Sequence, residues 1–233
     1  EEIMTNFMSN SIFFGAALSL IAYEVGLLLK RKFKMAIFNP LLISIIAVIA
    51  VLCLLNIDYD TYNQSGQYIS YLLTPATVCL AVPLYQQMEL LKKNLKAVVI
   101  GIVSGVLASL VSVLILAKLF RLSHEQYVTL LPKSITTAIG MGVSEELGGI
   151  VTITVAVIII TGVLGNMVAE TVIKLAHIEE PIAKGLALGT SSHAIGTAKA
   201  MELGEIEGAM SSLAIAVAGL LTVVGASVFA QFM

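Results

Sequence analysis

Charge is what this 233-residue chain has least of: 12% of its residues are Asp, Glu, Lys or Arg, about half the roughly 25% of an ordinary soluble domain. Counted with Gly and without Tyr, the apolar share is about 63%, against roughly 45–50% for soluble proteins. A water-soluble single domain does not fit that balance. The 13 basic and 15 acidic residues leave a net charge of −2, and the Lys and Arg sit in small groups between uncharged stretches. There is no basic stripe for nucleic acid to bind. Cysteine is scarce as well, with Cys53 and Cys79 both inside apolar runs; this excludes a disulfide scaffold and predicts two small buried hydrophobes. The chain opens Glu1-Glu2, so no cleavable signal peptide is expected, and the missing initiator Met suggests a trimmed start.

What the chain has instead is uncharged length. Windows free of Asp, Glu, Lys and Arg cover 3–23, 35–57, 61–88, 97–117, 147–169 and 208–233. Each can cross a hydrocarbon core of about 30 Å as a helix rising about 1.5 Å per residue. Helix is expected despite the abundance of Val and Ile, because a spanning helix satisfies its backbone polar groups internally. Two further stretches, 125–145 and 181–201, are long enough to span but are interrupted by charge, Gly, Pro and hydroxyl residues. Neither reads as a lipid-facing helix, and each could cross or be re-entrant.

The expected fold is therefore all-α and polytopic, with about seven or eight membrane segments that include broken helices. One integral membrane domain is expected over 1–233. Segments begin near 9, 37, 67 and 97, then near 125, 150, 182 and 208, which suggests a two-fold internal repeat, 9–118 and 125–232. Such repeats are the usual construction of secondary transporters, with the substrate site where they meet. Lys30, Arg31, Lys32 and Lys34 follow the first span and Lys92, Lys93 and Lys96 precede the fourth. The positive-inside rule makes those loops cytoplasmic and the N-terminus external.

Three constellations could carry chemistry. In the first, Thr74-Pro75-Ala76-Thr77 is followed by Pro83. The two prolines remove amide donors inside a membrane segment, giving either a kink patched by hydroxyls or a discontinuous helix lining a solute cavity. In the second, Pro132-Lys133-Ser134-Ile135-Thr136-Thr137, Ser134, Thr136 or Thr137 could start a half-helix whose N-terminus favours an anion. Lys133 strengthens that reading, unless it snorkels to the interface. The third runs Gly189-Thr190-Ser191-Ser192-His193-Ala194-Ile195-Gly196-Thr197 and suits a closely approached cavity wall. His193 is the only histidine at membrane depth, hence either a functional group or a neutral imidazole bonded to a carbonyl at a helix contact. Small residues can also mean tight packing, as expected of Gly101 and Gly105. Glu202, Glu205 and Glu207 read as a solvated charged loop. No nucleophile and base assemble, so no catalytic residue, metal site or cofactor is expected.

These stretches resemble the LrgB/CidB family of membrane proteins, to which the C-terminal half of the plastid glycolate/glycerate transporter also belongs. The resemblance covers about residues 10–232. It is carried most specifically by PATVCLAVPLY (75–85), LLPKSITTAI (130–139), PIAKGLALGTSSHAIGTAKAMELG (181–204) and GAMSSLAIAVAG (208–219). Where members commonly have Ile-Ala-Leu-Pro, this chain has Ile139-Gly140-Met141-Gly142 and lacks the proline kink. The family implies either of two functions: antiholin-like control of murein hydrolase activity and autolysis with a small holin-like partner of the LrgA/CidA type, or carriage of small carboxylates such as glycolate, glycerate or pyruvate. It also implies a bacterial inner-membrane location. The residues themselves favour a carrier, since broken segments, hydroxyls, a Lys and a His suit an anion's carboxylate; with it are expected monocarboxylates or hydroxy-acids as solutes, coupling to H⁺ through His193, and a homodimer, as such carriers are often built. Thr74, Pro75, Thr77, Pro83, Lys133, Ser134, Thr136, Thr137, Gly189, Thr190, Ser191, Ser192, His193, Gly196 and Thr197 are the expected solute-binding residues.

Overall fold

The computed structural model describes residues 13–33, 35, 38–79 and 81–233, with the side chains of residues 73 and 77 left out. Among the described residues there is no strand. The helices group into two compact units, which divide after Cys79.

The first unit contains α1 (Phe14–Phe33), α2 (Pro40–Leu54), α3 (Tyr59–Ser70) and α4 (Leu73–Cys79). Two glycines of α1 allow its close contacts. A Cβ on Gly26 would stand 2.7 Å from the Pro40 carbonyl oxygen, while Ser65 Oγ of α3 accepts the Gly15 N–H at 2.6 Å. Helix α2 is shorter than its uncharged window, 15 residues in all, because sequence signals inside the window set both ends. Asn39 Oδ1 accepts the Leu41 and Leu42 amides at 2.9 and 3.2 Å, and Pro40 occupies the first turn, where its missing N–H costs nothing. At the other end Asn56 turns left-handed and closes the helix. Of the two prolines of the 61–88 window, Pro75 acts in the same way, in the first turn of a new piece after the turn at Tyr71-Leu72. Pro75 lies in α4, and Pro83 lies within α5 (Ala81–Gln86).

The second unit continues with α5, α6 (Met88–Lys93), α7 (Leu95–Leu119), α8 (His124–Leu130), α9 (Thr137–Glu146), α10 (Val151–Leu175), α11 (Pro181–Leu203) and α12 (Glu205–Phe229). Three of these, α7, α10 and α12, are long and apolar enough to cross a membrane. Their outer faces are bulky, such as Ile100, Leu107 and Ile115 on α7 and Leu220 and Val224 on α12. The inner face of α12 is small: Ala209, Ser211, Ala214, Ala218 and Ala226. Large residues outside and small ones inside are what lipid contact and close helix packing require. For the same reason an apolar run does not imply burial in the protein, and Cys53 and Cys79 are exposed, contrary to the sequence expectation.

The two interrupted stretches fold back on themselves instead of crossing. In the first hairpin, α8 rises, residues 131–136 turn, and α9 returns. Its base is fixed on the start of α10: Thr129 Oγ1 accepts the Ile150 N–H at 2.8 Å, and Thr154 Oγ1 sits 2.9 Å from the Thr129 carbonyl and 2.7 Å from Ser144 Oγ. That base stands beside the C-terminal end of α12, where Tyr127 donates to the Phe229 carbonyl at 2.9 Å. Residues 139–142, which lack the family's proline, continue as regular helix.

The second hairpin is α11. A straight helix would separate residues 188 and 196 by about 12 Å, yet a Cβ on Gly196 would stand 2.5 Å from the Leu188 carbonyl oxygen. Its first arm runs parallel to α12, with Gly185 against Glu207 and Met210 and Gly189 against Ser211 and Ala214. Its second arm runs antiparallel, with Thr197 bonded to Ser211 at 2.7 Å and Met201 against Gly208. The bases of the two hairpins therefore lie at opposite ends of α12. The order hairpin then long helix occurs twice, 124–175 and 181–229, with opposite sense.

Candidate functional site

The two hairpin tips approach the same middle stretches of α7 and α10. Gly105 of α7 faces Thr190, whose Oγ1 would lie 2.6 Å from a Cβ there. One turn further, Ser109 Oγ lies 3.0 Å from Ser134 Oγ of the first hairpin. On α10, Ile158 serves both: its side chain packs against Gly140 of α9, and its carbonyl oxygen is 2.9 Å from His193 Nε2.

The turn at the second tip is strained. Among the described residues four non-glycine residues have positive φ: Asn56, Arg121, His177 and His193. The first three end helices, with the next amide reaching five residues back, Ile57 to Leu52 at 2.9 Å, Leu122 to Ala117 at 2.9 Å and Ile178 to Ile173 at 3.0 Å. This is the usual left-handed C-terminal cap. His193 ends no such cap. Its φ of 42° and ψ of −136° suit glycine, and a residue with a Cβ is held there at a cost on the order of 1–3 kcal/mol.

One face of α10 is cut to hold that turn. Gly162 lies where a Cβ would be 2.7 Å from the imidazole, and a Cβ on Gly165 would collide with Ser192 Oγ. Asn166 Nδ2 donates to the Ile195 carbonyl at 3.0 Å, tying the start of the second arm to α10. Ile158, Gly162, Gly165 and Asn166 follow helical spacing on a single stripe. At the hairpin's base, Lys199 Nζ bonds Glu170 Oε1 of α10 at 2.6 Å and Glu202 Oε2 at 3.0 Å.

Electrostatically the tips favour anions. The returning arm of each hairpin begins there, α9 with Thr136 as its N-cap residue and the second arm of α11 after His193. Their first-turn amides have no intrahelical acceptor and carry partial positive charge. Lys133 adds a full charge beside the first tip, with Nζ donating to Ser134 Oγ at 3.0 Å.

The expected site residues divide into groups. Ser134, Thr190, Ser192, His193 and Thr197 are brought together and buried. Several of them hold the hairpins: Thr190 donates to the Leu186 carbonyl at 2.8 Å and Thr197 to that of His193 at 3.1 Å. Gly189 and Gly196 are close-packing positions. Lys133, Thr136 and Thr137 are partly exposed and Ser191 is exposed. Pro83 lies on α5 of this unit, whereas Thr74 and Pro75 belong to the first unit, and the Thr77 side chain lies outside the described residues. His193 adopts the carbonyl-bonded form of its two readings. The solvated-loop reading of the glutamates holds for exposure at Glu202 and Glu205 but is corrected on two points: Glu205 and Glu207 open α12 instead of lying in a loop, and Glu207 is only 8% exposed. Lys199 pairs with Glu202, and a single Gly204 joins the helices, so no loop remains. The sequence reading missed Ser109, Asn166, Gly162 and Gly165; a lone Asn in an uncharged run beside two small residues was the available signal.

An all-helical, multi-pass membrane protein built around two opposed hairpins is the class these features define. The chain matches the LrgB-like family over residues 19–232 and belongs to it. It is 40% identical over 221 residues to proteins named antiholin-like protein LrgB from Bacillus mycoides (strain KBAB4) and Bacillus cereus (strain B4264), covering 94% of this chain and 96% of each relative. The relative from Bacillus anthracis (strain CDC 684 / NRRL 3495) has the same name, identity and coverage. No solved structure matches.

Proposed function

We propose that this protein is an antiholin-like regulator in the bacterial cell membrane, restraining a small holin-like partner and through it murein hydrolase activity and autolysis. The observation that carries this reading is the likeness to antiholin-like relatives over nearly the whole of both chains. Deleting the gene should speed detergent-induced lysis, and the tagged protein should co-purify with the holin-like partner. Unchanged lysis and no co-purification would refute the reading.

One observation favours a second activity, carriage of small monocarboxylates or hydroxy-acids. A lysis regulator alone has no need of two opposed hairpins whose half-helix N-termini, with Lys133, approach the same middle stretches of α7 and α10. Discontinuous helices with N-termini aimed at an anionic group are a recurring transporter device, and alternating access would move one bundle against the other. Thr136, Thr137, Ser191 and Lys133 would meet the carboxylate, and no catalysis is involved. Liposomes containing the purified protein should exchange glycolate, glycerate or pyruvate, with slower exchange in Thr137→Ala and His193→Ala. Absent flux would remove the carrier reading and leave the regulatory one standing.

A further inference from the structure

A cavity of about 440 Å³ opens at the base of the second hairpin, lined in part by Glu170, Ile173, Ile178, Glu179, Leu203 and Glu207. The chain buries two charged side chains here, and they are treated differently. Lys199, 8% exposed, has carboxylates at 2.6 and 3.0 Å. Glu207, also 8% exposed and lining the cavity, has no hydrogen bond or ion pair among the described residues. Its place in the first turn of α12 gives it the favourable end of the helix dipole, and since no fully buried side-chain oxygen among the described residues lacks a partner, its carboxylate is open to the cavity it lines.

We infer that this cavity binds an organic cation, a primary ammonium or guanidinium on a short apolar stem, with Glu207 as its counter-ion. Ile173, Ile178 and Leu203 supply the apolar wall for the stem, and Glu179 adds negative charge, Glu170 being already paired with Lys199. Among the described residues no three His, Cys, Asp or Glu side chains are grouped to hold a metal ion, which points to a cation that needs fewer ligands. Of the basic groups on the wall, Lys174 is drawn to Glu170 at 3.8 Å, while His177 and Lys184 make no ion pair. The inference depends on neither function proposed above.

The test uses the full chain in detergent micelles with Cys53 and Cys79 replaced by Ser, titrated with n-butylammonium and with butyrate at constant ionic strength. Butylammonium should raise Tm and slow maleimide labelling of Ile178→Cys about fivefold, and butyrate should do neither. Glu207→Gln should raise the required concentration about tenfold, the usual loss for one charge-assisted contact. Lys184→Met, which removes a competing cation, should leave binding equal or tighter. Equal effects of the two ions, or a wild-type response in Glu207→Gln, would overturn the inference. If Glu207→Gln fails to fold, the cation-against-anion comparison at Ile178→Cys still decides it.

Discussion

The imidazole Nε2 of His193 and the carbonyl oxygen of Ile158 are 2.9 Å apart, so the strained turn of the second hairpin is anchored to the middle of α10. The same Ile158 packs against Gly140 of the first hairpin. A single residue thus touches both re-entrant elements, and displacing either hairpin disturbs the contact that holds the other.

The strain at His193 has a direct signature. His193→Ala and His193→Gly both lose the imidazole, but only Ala keeps a Cβ at a φ of 42°. After allowing for the larger unfolded-state entropy of Gly, His193→Gly should be the more stable by about 1 kcal/mol. Thermal unfolding of the two variants in one detergent checks the order.

Three glycines in this unit separate packing from propensity. Gly162→Ala and Gly165→Ala push a methyl into His193 and Ser192 and should each cost about 1–3 kcal/mol. Gly142 has nothing within 4 Å of its would-be Cβ, so Gly142→Ala should be neutral or stabilise α9 by up to about 1 kcal/mol. Denaturant or thermal melts of the three single variants would show the contrast.

The segments were legible in the sequence because uncharged length is a direct consequence of the hydrocarbon core. Their ends were less so: hydropathy hid the Asn39-Pro40 and Asn56 signals that shorten α2. The first hairpin's returning helix was readable from Pro132 and Thr136. The fold-back itself was not, because 125–145 and 181–201 have enough residues to cross. The break in α11 falls at Ser192-His193, between Gly189 and Gly196, where local propensity places no turn; α10 imposes it through Gly162, Gly165 and Asn166, which are distant in sequence. Glu207 was misread because a charge run was taken as solvated without knowing that a helix would start there.

The hairpin's base gives a paired comparison of ion pairs. The Lys199 side chain is 11% exposed and bonds Glu170 at 2.6 Å, whereas Lys174 is 79% exposed and lies 3.8 Å from the same residue. Lys199→Ala should cost about 1–3 kcal/mol, since it removes a largely buried ammonium that holds two half-exposed carboxylates, and Lys174→Ala less than about 0.5 kcal/mol. A double-mutant cycle with Glu170→Gln measures each coupling.

If the tips bind a carboxylate, Lys133 supplies the largest single attraction. Lys133→Met should weaken half-saturation of carboxylate exchange in liposomes about tenfold or more, the usual worth of a hydrogen bond to a charged group. Lys184→Met, remote from the tips, should leave exchange unchanged. Equal loss in both variants would place the anion's charge partner elsewhere.

The opposed hairpins are the central claim, and their sidedness is its sharpest consequence. In a background with Cys53 and Cys79 replaced by Ser, single cysteines at Glu125, Glu146, Glu179 and Glu205 can be probed in oriented vesicles with a membrane-impermeant maleimide. The account predicts that Glu179→Cys and Glu205→Cys label from the cytoplasmic face, and that Glu125→Cys and Glu146→Cys label from the opposite face. Labelling of Glu179→Cys and Glu205→Cys from opposite faces would mean that α11 crosses the membrane, and would contradict it.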